Sequence, residues 1–283
     1  MKIGLALSGG GIRGIAHVGV LQALEENNIK IEAVAGTSAG SIVATLYAMG
    51  YSPYYIYLLF KRYAKDIINI RSKILIRGIS NFIKNNKTGI TGLSDGKIFE
   101  KMYEELANKK GFRVIGDIKM PLVISAVDIV EEKEYIFTNC ASRKNINDNY
   151  ITEISIGRAV RASSSFPAVF CPCEFKNHVF MDGGVLNNIP TGELKKAYDG
   201  KIMSVNFESD SVDNSYDIMN IIMKTLDIMG NKLSANSLQK SDFLLTIPTD
   251  GTGLIDIDKM DKCYNLGYQT TKENIDKIKR IIE

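Results

Sequence analysis

Five residues, Gly36-Thr37-Ser38-Ala39-Gly40, stand between the apolar run Ile31 to Ala35 and a second apolar run, Ile42 to Met49. A short apolar run, a cluster of small residues and a helix-length apolar run predict a strand, a tight turn and a helix in that order. Glycine at each end, with only Thr37 and Ala39 beside Ser38, leaves the turn room to close sharply. Such a turn exposes the serine oxygen and aims the free N–H groups of the next helix at whatever reacts there. The expectation is a nucleophilic serine, with acyl-ester hydrolysis as the leading reaction.

The same order of parts occurs once before. Lys2 to Leu7 reads as a short apolar strand, and Ser8-Gly9-Gly10-Gly11-Ile12-Arg13-Gly14 as a glycine-rich turn. Ile15 to Glu26 then carries Ile15, Val18, Leu21 and Leu24 at helical spacing, ended by Asn27-Asn28. Strands alternating with helices predict an α/β fold, a mainly parallel sheet flanked by helices, with both special turns at the carboxyl ends of strands. Further along, the pattern predicts a helix over Ser94 to Leu106, a buried strand over Pro121 to Val130, and a partner strand over Glu134 to Thr138. It then predicts a helix over Ile154 to Ala162 and a strand over Val179 to Met181 that ends at Asp182-Gly183-Gly184. A helix around Ser215 to Leu238, a strand over Phe243 to Ile247 and a helix from Asp258 onward follow. No repeat or linker divides the chain. It reads as a single domain over 1–283, with a motif-bearing core at about 5–195 and C-terminal elements at 196–283 that complete it.

Composition excludes several classes. A chain of 283 residues with 45% hydrophobic and 24% charged residues is ordinary for a globular protein. A net charge of +3 gives no reason to expect a nucleic-acid partner. Cys140, Cys171, Cys173 and Cys263 make no disulfide framework, which fits a reducing, cytoplasmic setting. Cys171-Pro172-Cys173 with His178 lacks a fourth ligand at a zinc spacing and reads as packing, so no metal is expected. Ile3 to Leu7 is too short for the apolar core of a signal peptide. Ala33 to Phe60 carries no charge and is long enough to span a bilayer, yet it contains the Ser38 turn and Pro53. A buried strand, turn and helix account for it better.

The segment 51–87 differs in character. Lys61, Arg62, Lys65, Arg71, Lys73, Arg77, Lys84 and Lys87 face a single acid, Asp66, among the clustered tyrosines 51, 54, 55, 57 and 63. A basic aromatic cap of this kind suits peripheral contact with an anionic membrane. A helical excursion packed on the core, its lysines solvated, explains the same residues, and the two readings are compatible.

A serine hydroxyl needs a base. The chain has two histidines, and none follows His178. His178 and Asp182 lie four residues apart on one predicted strand, about 13 Å between Cα atoms, too far to bond. His17 sits within the first helix, where a structural role is expected. A Ser-His-Asp triad is therefore disfavoured, which leaves a carboxylate acting directly. Asp182 ranks first, at a strand end opening a glycine turn, and Asp128 second. Glycine runs let backbone N–H groups converge on a developing oxyanion. Gly10 and Gly11 lead as donors, in a loop that begins at Gly9, and the Ala39 N–H is a further donor. Arg13 is placed to hold either a phosphate or the loop itself.

Gly9-Gly-Gly-Ile-Arg-Gly14, Gly36-Thr-Ser-Ala-Gly40 and Asp182-Gly-Gly184 together resemble the motifs of the patatin-like phospholipases, closest to their short bacterial members. Arg161-Ala-Ser-Ser-Ser-Phe-Pro167 and the continuation of the third motif to Pro190 extend the resemblance over nearly the whole chain. It implies a patatin-like hydrolase fold and a Ser38–Asp182 dyad without histidine. It also implies an oxyanion hole in the glycine loop (Gly9, Gly10, Gly11, with Ala39), and support from Arg13, Gly14, Gly36, Gly40, Gly183 and Gly184. The implied substrate is a lipid acyl ester, with no cofactor and no metal. An acyltransferase would use the same acyl-enzyme. Gly9-x-Gly11-x-x-Gly14 also matches a dinucleotide fingerprint, but the ribose-binding acid expected at the end of the second strand is replaced by Ala35-Gly36. A non-catalytic lipid-binding protein using the basic segment is a third reading.

Overall fold

Strand order follows from which runs are buried on both faces. The computed structural model describes residues 1–62, 94–140, 148–167, 169–208, 239–254 and 256–283, with helical positions at 221, 224–225, 228–230 and 232–234. β1 (Lys2–Leu7), β2 (Lys30–Thr37), β3 (Leu122–Asp128), β8 (Ile202–Phe207) and β9 (Phe243–Ile247) pair in parallel, with β9 at the edge of the sheet. β4 (Lys133–Thr138) runs antiparallel to β3, and the short β5 (Tyr150–Ile151) closes that side, giving the order β5-β4-β3-β2-β1-β8-β9. β6 (Cys173–Phe175) and β7 (His178–Asp182) form a hairpin whose second strand also pairs with β3.

Alternation along the strands divides two cores. Ile3, Leu5 and Leu7 of β1 join the larger one. That core also holds residues from α1 (Ile15–Glu26), α2 (Ala39–Ala48), α3 (Lys97–Lys109), α4 (Ile156–Ser163), α6 (Met260–Glu273) and α7 (Ile275–Ile282). Ala6, Ala33 and Ala35 turn to the smaller core with Leu194 and Ala197 of α5 (Thr191–Ala197). The two faces are covered, as expected of this class, though unequally.

β3 positions the site. β4 occupies one edge of β3 from Val123 to Asp128, so β2 and β7 must share the other. β2 takes it as far as Thr37 opposite Ser125, and β7 takes it from Asp182 opposite Ala126. The carboxyl ends of β2 and β7 thus meet head to head at adjacent residues of β3. Ser38 follows directly from one, and Asp182 ends the other.

Several boundaries differ from the sequence expectation. β2 runs on to Thr37, because Gly36 and Thr37 still pair with Ile124 and Ser125. α3 starts at Lys97 instead of Ser94, since Ser94 bridges to Phe170 and Gly96 adopts a left-handed conformation, φ 66°. The C-terminal helix is interrupted at Asn274, which leaves helical geometry between α6 and α7. Residues 53–62 are helical, and 63–87 of the basic segment, like most of the predicted Ser215–Leu238 helix, lie outside the described residues. Lys61 pairs with Asp261 of α6 at 2.8 Å, in a solvent-accessible contact. Among the described residues, no helix is long and apolar enough to cross a membrane.

β7 is held by its aromatic centre. Phe180 is fully buried, with its ring edge-on to Phe137 at 5.2 Å and to Tyr135 at 5.5 Å. Phe180→Ala removes this packing two residues from Asp182. It is expected to cost about 3–5 kcal/mol of unfolding free energy, measured by urea titration.

Candidate active site

Ser38 occupies the junction of β2 and α2 with φ 53° and ψ −123°, a backbone state that residues with a Cβ rarely adopt. The turn closes because its neighbours lack side chains. A Cβ on Gly36 would stand 2.3 Å from the Gly40 carbonyl oxygen, and one on Gly40 would stand 2.3 Å from that of Leu7. The Ser38 carbonyl accepts from the Ser41 hydroxyl at 2.7 Å and from the Ser41 and Ile42 amides, which starts α2. Ser38 itself remains half-buried.

The glycine loop lies beside it. Gly9 packs against Ser38 Cβ, and Gly14 against the Ala39 methyl. Gly11 to Gly14 form one 3-10 turn that leads into α1. Among the described residues, the N–H groups of Gly10, Gly11 and Ala39 have no acceptor. Gly9 departs from the expectation. Its N–H donates to the backbone and side-chain oxygens of Asn188, each at 3.1 Å, so it fastens the loop and is not an open donor. Arg13 also holds the loop: Nε donates to the Gly10 carbonyl at 3.3 Å, and the guanidinium lies over Phe207. These contacts commit the Gly9-x-Gly11-x-x-Gly14 turn to the protein itself, leaving a dinucleotide site without support.

Asp182 is 2% exposed. Its Oδ1 accepts from the Gly184 amide at 2.8 Å, its own N–H donates to the Ser165 carbonyl at 3.1 Å, and Gly183 lies against Ser125. Burial pushes its pKa up to about 6, against the opposing influence of the Ser38 hydroxyl and the Gly184 N–H. Oδ2 nevertheless lacks a partner that meets full hydrogen-bond geometry. The Ser38 hydroxyl is thus near enough to lower the Asp182 pKa, while Oδ2 has no hydrogen-bond partner among the described residues.

Both histidines make their contacts elsewhere. His17 is fully buried, its Nε2 is 2.8 Å from the Ser8 carbonyl, and burial lowers its pKa to about 4 despite that contact. It braces the start of the glycine loop. His178 Nδ1 lies 2.6 Å from Asp128 Oδ2, at the far end of β7 from Asp182. Burial alone would raise the Asp128 pKa, but donation from the Val130 N–H, His178 and the Glu131 N–H outweighs it and holds the carboxyl low. The runner-up acid is thus a structural carboxylate. Asp128, Glu131 and His178 are the one group among the described residues compact enough to hold a metal. The His178–Asp128 contact is shorter than the spacing of about 3.3 Å between two tetrahedral zinc ligands, and it reads as a direct hydrogen bond.

Sequence reasoning missed the residues that join these parts. Thr37 donates through its hydroxyl to the Asn187 carbonyl at 2.8 Å, and the Asn187 amide donates to Glu134 at 2.8 Å. Glu134 also accepts from Ser125 at 2.7 Å, and burial raises its pKa. Ser163 Oγ accepts from the Ser38 N–H at 3.0 Å. The strings Asn187-Asn188 and Ser163-Ser164-Ser165 stand out in the sequence, but nothing in periodicity names their partners.

A strained serine at a strand end, a loop with open amide donors and a buried acid at a second strand end describe an α/β hydrolase of acyl esters. The chain belongs to the patatin-like phospholipase family, whose model matches residues 5–195, and so to a family of lipid acyl hydrolases. It is 28% identical over 243 residues to the uncharacterized protein YqhO of Bacillus subtilis, covering 80% of each chain. It is 32% identical over 196 residues to lysophospholipase NTE1 of Saccharomyces cerevisiae, covering 68% of this chain and 10% of that protein. With the Meyerozyma guilliermondii lysophospholipase NTE1 it shares 28% over 293 residues, 94% of this chain and 19% of the other. The chain thus spans less than a fifth of these two lysophospholipases. VipD from Legionella pneumophila shares the fold at TM-score 0.51 and 16% identity, over 97% of this chain and 67% of VipD. The ExoU–SpcU structure from Pseudomonas aeruginosa does so at 0.51 and 17%, over 100% and 53%.

Burial of Asp182 has a consequence for stability. Its folded pKa of about 6 lies above the ordinary 3.8, so its stabilising contribution is complete below pH 4 and lost as pH rises through 6. Above that the ionised carboxylate costs the fold up to about 3 kcal/mol. Asp182→Asn is expected to unfold at higher urea than wild type at pH 8, and the difference should vanish near pH 4.

Proposed function

We propose that the protein hydrolyses acyl esters of phospholipid or lysophospholipid, with Ser38 as nucleophile and Asp182 as its base. Ser38 Oγ attacks the ester carbonyl while Asp182 accepts its proton, and the N–H groups of Gly10, Gly11 and Ala39 hold the oxyanion. The oxyanion collapses, the ester C–O bond breaks, and the proton on Asp182 passes to the departing alcohol or lysolipid. Water then attacks the acyl-Ser38 ester, giving its proton to Asp182. Collapse releases the fatty acid and returns that proton to Ser38. The observation that carries the reading is the juxtaposition of a strained serine with a buried acid whose Oδ2 has no hydrogen-bond partner among the described residues. The lysophospholipase activity in the names of the yeast relatives supports the choice of substrate. Transacylation differs only in the acceptor, and product analysis with water or a second lysolipid as acceptor separates the two.

Labelling with a fluorophosphonate followed by peptide mapping tests the nucleophile. Ser38 is expected to carry the probe, with labelling abolished in Ser38→Ala and slowed at least 100-fold in Asp182→Asn. A folded wild type that stays unlabelled overturns the assignment. Because Asp182 must be ionised to act, kcat/KM on a soluble ester should rise with pH through a midpoint near 6. The profile should persist in His178→Gln, and its loss there would restore a histidine base.

Peripheral contact with anionic membrane through 51–87 is a second reading, supported by the charge of that segment. Lys61 is engaged with Asp261, so the test spares it. Arg62→Glu with Lys65→Glu should weaken binding to anionic vesicles at low salt and leave hydrolysis of a soluble ester unchanged. Unaltered vesicle binding removes the idea.

A further inference from the structure

The strained state of Ser38 is held from outside its own turn. Ser163, fully buried at the last position of α4, accepts the Ser38 N–H at 3.0 Å across a separation of 125 residues. Ser164, the next residue, directs its hydroxyl to the Ser38 carbonyl at 3.4 Å. Ser165 offers its carbonyl to the Asp182 N–H at 3.1 Å. Three consecutive residues therefore meet the backbones of the proposed nucleophile and of the proposed base. A buried serine within a helix usually turns its hydroxyl to the carbonyl of the preceding turn, and Ser165, just past the end of α4, does the same to Arg161 at 2.9 Å. The contacts of Ser163 and Ser164 with Ser38 are long-range instead.

The helix end that carries these serines is itself anchored. Arg161, 8% exposed, donates to the Asp95 carbonyl at 2.7 Å and the Pro172 carbonyl at 3.2 Å, and Nε lies 3.8 Å from Glu100. Arg158 adds a second contact to Glu100 at 2.8 Å. The end of α4 is thus fixed to α3, to the approach to α3, and to the chain before β6.

We infer that Ser163-Ser164-Ser165 is a positioning element that sets the separation of Ser38 and Asp182, holding Ser38 by two hydroxyls and Asp182 by one carbonyl. The inference rests on the Ser38–Asp182 reading above. A misplacement of about 1 Å at a reacting group is worth on the order of 100-fold in rate, so loss of the stronger contact should be visible in kcat. It should also appear in a quantity that general destabilisation leaves alone. The Ser38 hydroxyl lowers the Asp182 pKa, so a displaced Ser38 should move the pH midpoint upward.

The experiment compares wild type, Ser163→Ala, Ser163→Thr, Ser164→Ala and Asp182→Asn for fluorophosphonate labelling, hydrolysis of a soluble p-nitrophenyl ester against pH, and thermal unfolding. In Ser163→Ala, labelling and kcat are expected to fall by about 10- to 100-fold with KM within twofold. The midpoint should rise above that of wild type, and Ser163→Thr, which keeps the hydroxyl, should recover most of the rate. Ser164→Ala should show a smaller loss with the same upward midpoint. A folded Ser163→Ala that labels at the wild-type rate with an unmoved midpoint overturns the inference. If Ser163→Ala does not fold, Ser164→Ala decides, and an unmoved midpoint there overturns it equally. Labelling of Asp182→Asn at the wild-type rate would instead remove the dyad reading.

Discussion

One edge of β3 governs the site. β4 excludes every other strand from the opposite edge, so β2 and β7 must divide the remaining one between Ser125 and Ala126. Register in a sheet is strict where faces are buried, because a slip of one residue turns every side chain to the other face. Such a slip in β7 would carry Asp182 about 3.3 Å along β3 and reverse its direction. The meeting of Thr37 and Asp182 is therefore a property of the whole sheet, secured by fully buried neighbours such as Ile124, Ala126 and Phe180. The turns that carry Ser38 and Asp182 are short continuations of these two strand ends, which restricts how far they can stray.

Local costs gather where the strands meet. Ser38 has an unfavourable backbone, Asp182 a desolvated carboxyl, and Gly10 and Gly11 have N–H groups without acceptors among the described residues. Strain of this kind persists only when the surroundings over-determine it. Here the surroundings are specific. Asn188 ties the glycine loop to the Asp182 loop, Thr37 ties the end of β2 to Asn187, and half-buried Glu134 holds Asn187 and Ser125 together. None of these residues needs to touch a substrate, yet each limits a loop that would otherwise relax.

What the sequence makes legible follows the range of the interaction concerned. β1, α1 and β9 have the bounds that short-range apolar patterning predicts, because each is decided by its own burial period. Ser38 and Asp182 stand out because their neighbours are glycines at strand ends, a local departure from ordinary element composition. The Gly9 amide does not, since its acceptor lies 179 residues away on Asn188. Ser94 illustrates the opposite error. It looks like a helix start from local chemistry, but a bridge to Phe170 claims its backbone and delays α3 to Lys97. Glu134 is hidden for a related reason, because an acid in a strand ordinarily faces water, and here donation from Ser125 and Asn187 offsets its partial burial.

The scarcity of histidine then has a physical reading. A base must be deprotonated at working pH and still hold a proton firmly during attack, which is why imidazole, near pKa 6.5, is the common choice. An ordinary aspartate near 3.8 fails the second requirement. Burial at the junction of β2 and β7 brings Asp182 to about 6, close to imidazole, without any second titrating residue. The Ser38 hydroxyl and the Gly184 N–H keep the shift from going further, so the carboxylate remains ionised near neutrality. In the proposed chemistry the sheet does what a histidine does in a triad. It supplies basicity through desolvation, and the same desolvation makes the folded state less stable at neutral pH than an asparagine in that position would.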